Sequence, residues 1–316
     1  MVEPVLTRDG QEALDSILNR WPPIIRQRRR EKISRTISFV MTEKGAKKAT
    51  KALVVEAAKF VVSPGFTPFF DMMEDMEKFK RISRVPYLDL ESYYAMPRHV
   101  KRWASTPSKT SKLPETMKVI AFNASPRKGG NTDALIDEAL HGAGDAGAKV
   151  EKISLQALNI KFCTGCRRCK DPGHKGYCVL EDKMHDIYPK IVESDAIIIG
   201  FPIYTGRECA QLSTFLDRWD CFEGFIFGKK LEPGRRAMVI GTWGYNQVDC
   251  YDHIIENVMT IMNLHQIQPV EALSACGFAG KLRGLDENGK AIVLRFPGEM
   301  KKAYQAGRTL VTGEQN

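Results

Sequence analysis

KVIAFNASPRKGGNT, Lys118 to Thr132, is the stretch that decides how this chain folds. Val119 to Phe122 is a short apolar run, the composition of a strand buried on both faces. Asn123 to Thr132 then carries Ser, Pro, paired Gly and a closing Asn-Thr, which stops the strand and supplies helix caps. A strand, a glycine-rich turn and a helix start make the opening unit of a parallel α/β sheet. Amides of such a loop can point inward at an anion, helped by the helix N-terminus. Ser125, Asn131 and Thr132 can donate hydrogen bonds to it, and Arg127 or Lys128 can supply charge. No Gly-Lys-Ser/Thr closes the loop and no GxGxxG lies within it, which excludes a Walker loop and a dinucleotide fingerprint. A dianionic monophosphate suits these hydroxyls and amides. A plain strand-to-helix turn with an Asn or Thr cap is the competing reading.

Outward from this stretch the pattern repeats. A helix-like segment runs from Asp133 to Asp145. KVEKISL (149–155) reads as a second strand, DAIIIGFPIY (195–204) as a third and RAMVIGTWG (236–244) as a fourth, and QPVEALSACGF (268–278) contains a fifth. Helical segments are expected at 209–221, 249–263 and 297–311. Short apolar strands alternating with helices predict a parallel sheet covered on both faces. Five such units fit the flavodoxin-like strand order 2-1-3-4-5, whose ligand lies beyond the strand ends.

Between the second and third strands stand Cys163, Cys166, Cys169 and Cys178, spaced C-x2-C-x2-C-x8-C. Three thiols at intervals of two surround one short turn, with a fourth arriving later, as iron–sulfur ligation requires. Zinc sites more often separate two C-x-x-C pairs by a longer stretch, but zinc and thiol redox chemistry stay open as readings. His174, inside the same loop, could tune or replace a ligand. Cys209, Cys221, Cys250 and Cys276 are scattered and read as buried thiols.

The first 116 residues differ in character. They hold a net charge of +8 out of the chain's +9. Ala46, Ala49, Leu53, Ala57 and Phe60 recur at helical steps, as do Leu14, Ile17 and Leu18, and Trp21-Pro22-Pro23 separates two helices. Residues 1–104 are therefore expected to form a basic all-α domain, 105–116 (STPSKTSKLPET) a linker, and 117–316 the α/β domain. A solvated basic surface is the bland reading of the charge; an acidic protein, an anionic membrane or nucleic acid is the functional one. No apolar run reaches the roughly 18 residues needed to span a bilayer. MVEPVLTRDGQEALD has an early acid and no apolar core, so no signal peptide is expected and a cytoplasmic location is.

With these motifs in view, residues 117–312 resemble the iron–sulfur flavoproteins of the NAD(P)H-dependent FMN reductase family. ASPRKGGNT resembles that family's phosphate loop, and the cysteine run resembles its compact cluster motif. EDKMHDI, after Cys178, resembles its aspartate pair before a helix. FPIYTGRECAQLSTFLDRW resembles its flavin loop and following helix, ending in Asp217-Arg218. Ala124 stands where the loop usually has glycine, Lys183 where the second aspartate stands, and Phe201 and Ser213 replace the commoner serine and lysine. The resemblance implies FMN held at its phosphate by Ser125, Arg127, Lys128, Asn131 and Thr132. It implies that Pro202, Ile203 and Tyr204 lie along the ring, with Thr242, Trp243 and Gly244 closing its other side. It also implies a [4Fe–4S] cluster on Cys163, Cys166, Cys169 and Cys178, and a homo-oligomer. NAD(P)H or a ferredoxin-like protein would be the donor. Residues 11–50 resemble the small helical domain at the end of the light-independent protochlorophyllide reductase B subunit, which suggests a docking module and no chemistry.

The expected function is a flavin-dependent oxidoreductase moving electrons between cluster, FMN and a small acceptor. No general base is assigned, because the cofactors carry the chemistry. Two rivals stand beside it. One is a cluster-free NAD(P)H-dependent FMN or quinone reductase. The other is a non-enzymatic redox sensor or electron carrier that docks through its basic helices, with nucleic acid a less favoured partner.

Overall fold

The computed structural model describes residues 4–19, 23–61, 70, 73, 98–107, 112–171, 173–174, 176–222, 231–244, 249–278, 284–286 and 288–314. They fall into two units, Met1–Val85 and Pro86–Asn316.

The first unit contains α1 (Arg8–Leu18), α2 (Pro23–Glu43) and α3 (Lys51–Lys59). Thr7 caps α1, its Oγ1 accepting from Gly10 N at 3.3 Å. Leu14, Ile17 and Leu18 are buried with Ile33 and Ile37 of α2 and with Leu53, Val54 and Ala57 of α3. Pro23 opens α2, where its fixed φ and missing N–H do no harm. Phe60 departs from the predicted face and is 77% exposed. The helix stops at Lys59, so Phe60 is its C-cap and leaves the apolar stripe.

The second unit contains, in chain order, β1 (His99–Ala104), β2 (Lys118–Asn123), α4 (Asn131–Asp145), β3 (Lys149–Ser154), α5 (Met184–Glu193) and β4 (Ala196–Tyr204). It continues with β5 (Arg207–Glu208), α6 (Ala210–Asp217), β6 (Arg235–Thr242), α7 (Asp252–Leu264), β7 (Ile267–Cys276) and α8 (Pro297–Thr312). The parallel strands run β3-β2-β4-β6-β7, the flavodoxin-like order 2-1-3-4-5 expected from the sequence. β5 is a short antiparallel partner of the end of β4.

β1 adds an antiparallel strand outside β7, beyond the five expected, from residues that the sequence reading leaves in the helical segment 1–104. Its sequence, HVKRWA, has no clean apolar alternation, and Val100 is its buried residue. Ion pairs hold it instead. Arg102 meets the buried carboxylate of Glu271 at 2.7 Å, and Lys101 reaches Asp249 and Asp252 at 2.5 and 2.8 Å. Burial pushes the Glu271 carboxyl up, against the opposing pull of Arg102.

Alternate residues of the strands feed two apolar layers. Val119, Ala121, Ile198, Met238 and Ile240 pack with α4 and α8. Ile120, Phe122, Ile197, Ile199, Phe201 and Val239 pack with α5, α6 and α7. Glycines let α4 and α8 cross in backbone contact: a Cβ on Gly142 would lie 2.0 Å from the Tyr304 carbonyl oxygen. Among the described residues, no helix is long and apolar enough to cross a membrane.

Candidate functional site

The turn from β2 into α4 is braced by its own polar groups. Asn123 Nδ2 donates to Asp133 Oδ1 at 2.8 Å, while Asn123 Oδ1 accepts from Ser125 N at 2.9 Å. Ser125 Oγ accepts from Arg127 N at 3.2 Å, and Gly129 N donates to Asp133 Oδ2 at 2.8 Å. Ala124 is not among the positive-φ residues, so its replacement of glycine costs nothing here. Its N–H donates to Gly200 O at 2.8 Å. A Cβ on Gly200 would come 2.4 Å from Ile136 Cδ1 and 3.2 Å from Thr132 Cγ2, so α4 starts directly against β4. Gly130 is the N-cap of α4 and gives it no side-chain cap, which leaves first-turn amides for an anion.

The expected phosphate residues separate into two groups. Ser125, Arg127 and Lys128 belong to the loop itself, the last two exposed. Asn131 and Thr132 serve the scaffold. Asn131 Nδ2 donates to Phe278 O at 2.8 Å, and its Oδ1 accepts from Val293 N at 3.0 Å. The Thr132 and Thr242 hydroxyls pair at 2.7 Å in a buried position.

At the end of β4, Pro202 and Ile203 are buried and Tyr204 half-buried. Pro202 is level with Thr242 in the β4–β6 register. The Arg127 guanidinium lies 5.7 Å from the centre of the Tyr204 ring, which brings the two loops together beyond the carboxyl ends of the strands. Trp243 is buried and packs edge-on against Tyr251 at 5.6 Å, and its backbone N–H donates to Ala275 O at 2.9 Å. It is a core residue, while Gly244 beside it is exposed. Cys209, read from sequence as an inert thiol, donates to Ala124 O at 3.3 Å and tethers the phosphate loop from behind. Burial pushes this thiol up, so it stays protonated and can donate.

All eight cysteines are free thiols, and those of the cysteine loop differ in exposure. Cys166 is exposed, Cys163 and Cys169 are intermediate, and Cys178 is buried. Gly165 N donates to Cys163 Sγ at 3.4 Å. Gly165 and Arg167 take positive φ, a backbone that turns successive amides to one side. The Arg168 amide and the Thr164 hydroxyl hold Cys166 below the ordinary thiol value. Burial, with Asp220 at 3.7 Å, pushes Cys169 up to about 11. His174 Nε2 bonds Tyr177 O at 2.7 Å and braces the loop. Among the described residues, no group of three or more His, Cys, Asp or Glu side chains is gathered to hold a metal ion. The donor set still suits an iron–sulfur cluster. It offers four thiols on one loop, an amide already donating to sulfur, and Arg167, Arg168 and Lys170 to offset thiolate charge.

The model of a family described as NADPH-dependent FMN reductase matches residues 117–277, just over half of the chain. The chain belongs to that family. The matched span holds both loops. Relatives of this chain include an iron–sulfur flavoprotein of Methanosarcina thermophila, 30% identical over 149 residues, 47% of this chain and 74% of that one. One from Methanocaldococcus jannaschii is 41% identical over 102 residues, 32% of this chain and 51% of that one. One from Archaeoglobus fulgidus is 39% identical over 102 residues, 32% of this chain and 45% of that one. The chain spans about half the length of the last two.

The sequence places Asp182 and Arg218 in two motif stretches but assigns neither a role. They form an ion pair at 2.5 Å under the cysteine loop, with side chains 3% and 0% exposed. Burial alone would push the Asp182 carboxyl up, but Arg218 and the amides of Lys161 and Met184 hold it below the usual carboxylate value. That the two meet is not legible locally, because they stand 36 positions apart.

Proposed function

We propose that this chain is an iron–sulfur flavoprotein oxidoreductase that binds FMN at the β2–α4 loop and a [4Fe–4S] cluster at the cysteine loop. When bound, FMN would supply two-electron chemistry and the cluster one-electron transfer. Loop amides, Ser125, Arg127 and Lys128 would hold the phosphate. Asn131 and Thr132 would keep that loop in place through Phe278, Val293 and Thr242. Pro202, Ile203 and Tyr204 would border the flavin ring on one side, with Thr242 and Gly244 on the other and Trp243 stiffening the turn from within the core. Cys163, Cys166, Cys169 and Cys178 would ligate the cluster. Electrons would enter from NAD(P)H or a ferredoxin-like donor and leave to a small acceptor such as a quinone. The working form would be a homo-oligomer in a reducing cytoplasm.

One observation carries the flavin assignment. In a family of FMN reductases, an uncapped helix start faces the strand ends beside Arg127 and Tyr204. The cluster assignment is supported by the cysteine spacing and by relatives named as iron–sulfur flavoproteins. The test is anaerobic purification with FMN, iron and acid-labile sulfide measured per chain. Flavin with about four irons and four sulfides supports both assignments. Cys163→Ser or Cys166→Ser should then lose iron and keep FMN. Full iron in either variant overturns the ligand assignment, and a wild-type chain without flavin overturns the reading of the phosphate loop.

A further inference from the structure

The cysteine loop leaves the body of the protein after Lys161 and rejoins it at Leu180, and one buried side chain grips both points. Arg218 Nη1 donates to Lys161 O at 2.7 Å, and its Nη2 donates to Leu180 O at 3.2 Å. The same two nitrogens reach Asp182 Oδ2 and Oδ1 at 2.5 and 3.3 Å. Asp182 in turn accepts from Lys161 N at 2.8 Å and from Met184 N at 2.9 Å. The arrangement is symmetric along the chain. Cys163 lies two residues inside one gripped carbonyl and Cys178 two residues inside the other.

Between the stems the described residues form one short 3-10 turn, Arg168–Lys170, and no strand. The direction in which the loop presents its thiols therefore depends on how its stems are held. A second brace lies on the Cys178 side. The Tyr177 ring stacks on Tyr188 at 4.7 Å, and the Tyr188 hydroxyl donates to Arg218 O at 3.0 Å. The short helical turn Arg218–Phe222 that follows α6 also brings Asp220 to Cys169 and Lys170, so one element addresses the loop at its base and at its third cysteine.

A stability role alone does not call for charge here. A buried ion pair is seldom better for stability than well-packed apolar side chains, whereas two inward-facing stem carbonyls need a planar donor with several N–H groups. We propose that Asp182 and Arg218 are positioning residues for the cluster ligands, a clamp that sets the mouth of the cysteine loop so that Cys163 and Cys178 meet one cluster. This rests on the cluster assignment proposed above.

The test uses Arg218→Lys and Asp182→Asn in the full chain, purified without oxygen. Lysine keeps the charge but cannot span both stems, and asparagine keeps the size but loses the charge. Each variant should keep FMN per chain at the wild-type level while iron and sulfide fall about tenfold, the loss typical when support behind metal ligands is removed. Any residual cluster should give an altered electron paramagnetic resonance spectrum. Unchanged iron and spectrum overturn the clamp, and so does a parallel loss of FMN and iron, which would mark a fold-wide role. A wild-type chain with flavin but no iron would overturn the cluster assignment separately. The clamp is then tested on that chain by trypsin, which cuts after Arg167, Arg168 or Lys170. Faster loop cleavage in both variants with FMN retained supports the clamp, and an unchanged rate overturns it.

Discussion

In the phosphate loop the bonds among Asn123, Ser125, Arg127, Gly129 and Asp133 span at most ten positions and distant strands add further ties, whereas the stems of the cysteine loop meet at Arg218, 57 positions after the first and 38 after the second. The first loop carries an internal network as well as its distant ties. The second depends on the turn that follows α6. A local network can lose one member and keep its form, because each residue is also restrained by its neighbours along the chain. A loop whose two stems meet at one distant pair is more exposed to the loss of that pair.

The largest effect expected from this contrast is at the pair itself. Asp182→Ala strands a fully buried guanidinium and should cost about 3–5 kcal/mol in chemical denaturation. A loss below about 1 kcal/mol, the range of exposed pairs, would put the pair on the same footing as surface charges. Acid should act in the same direction. The folded Asp182 carboxyl lies below its usual value, so its stabilisation is complete above the unfolded-state pKa and disappears as pH falls through the lowered folded value. Melting temperatures of Asp182→Asn should accordingly vary less with pH across the acid range than those of wild type.

Next comes the contact between α4 and β4. Gly200→Val forces Ile136 and Thr132 aside and should cost about 1–3 kcal/mol. FMN affinity, read by flavin fluorescence, should weaken while loop cleavage by trypsin stays at the wild-type rate. Coupled changes in both would show that the two loops are not independent. Thr132→Val removes one member of the buried hydroxyl pair with Thr242 and should cost about 1–2 kcal/mol. The smallest effect is expected at Lys152, which bridges Asp133 and Asp137 at 2.9 and 2.5 Å on a largely open face. Lys152→Met should change stability by less than about 1 kcal/mol, and a larger loss would mean that Lys152 is a support of the phosphate loop in its own right.

Much of the architecture was legible from residues 118–132 and the strands that follow, and the five parallel strands run in the order read from the sequence. β1 was not legible, since Lys101 and Arg102 mask the alternation that would mark an edge strand and their acidic partners lie far away in the chain. Trp243 was legible as a large aromatic at a strand end, but its burial against Tyr251 was not. Asn131 and Thr132 look like loop donors, yet their partners Phe278, Val293 and Thr242 stand 110 or more positions downstream. The tether from Cys209 to Ala124 spans 85 positions and leaves no periodic trace.

The sequence by itself determined what is written within about one turn of chain: strand runs, the glycine turn, helix starts, the spacing of four thiols and the basic first third. These follow from steric and hydrogen-bonding preferences between near neighbours, with periods of 2.0 and 3.6 residues that a linear reading can detect. Only the tertiary structure decided which polar groups would be buried together: Asp182 with Arg218, Thr132 with Thr242, and Arg102 with Glu271. A buried charge or hydroxyl is tolerable only when its partner is present, and that partner is chosen by how strands and helices stack in space, not by its place in the chain.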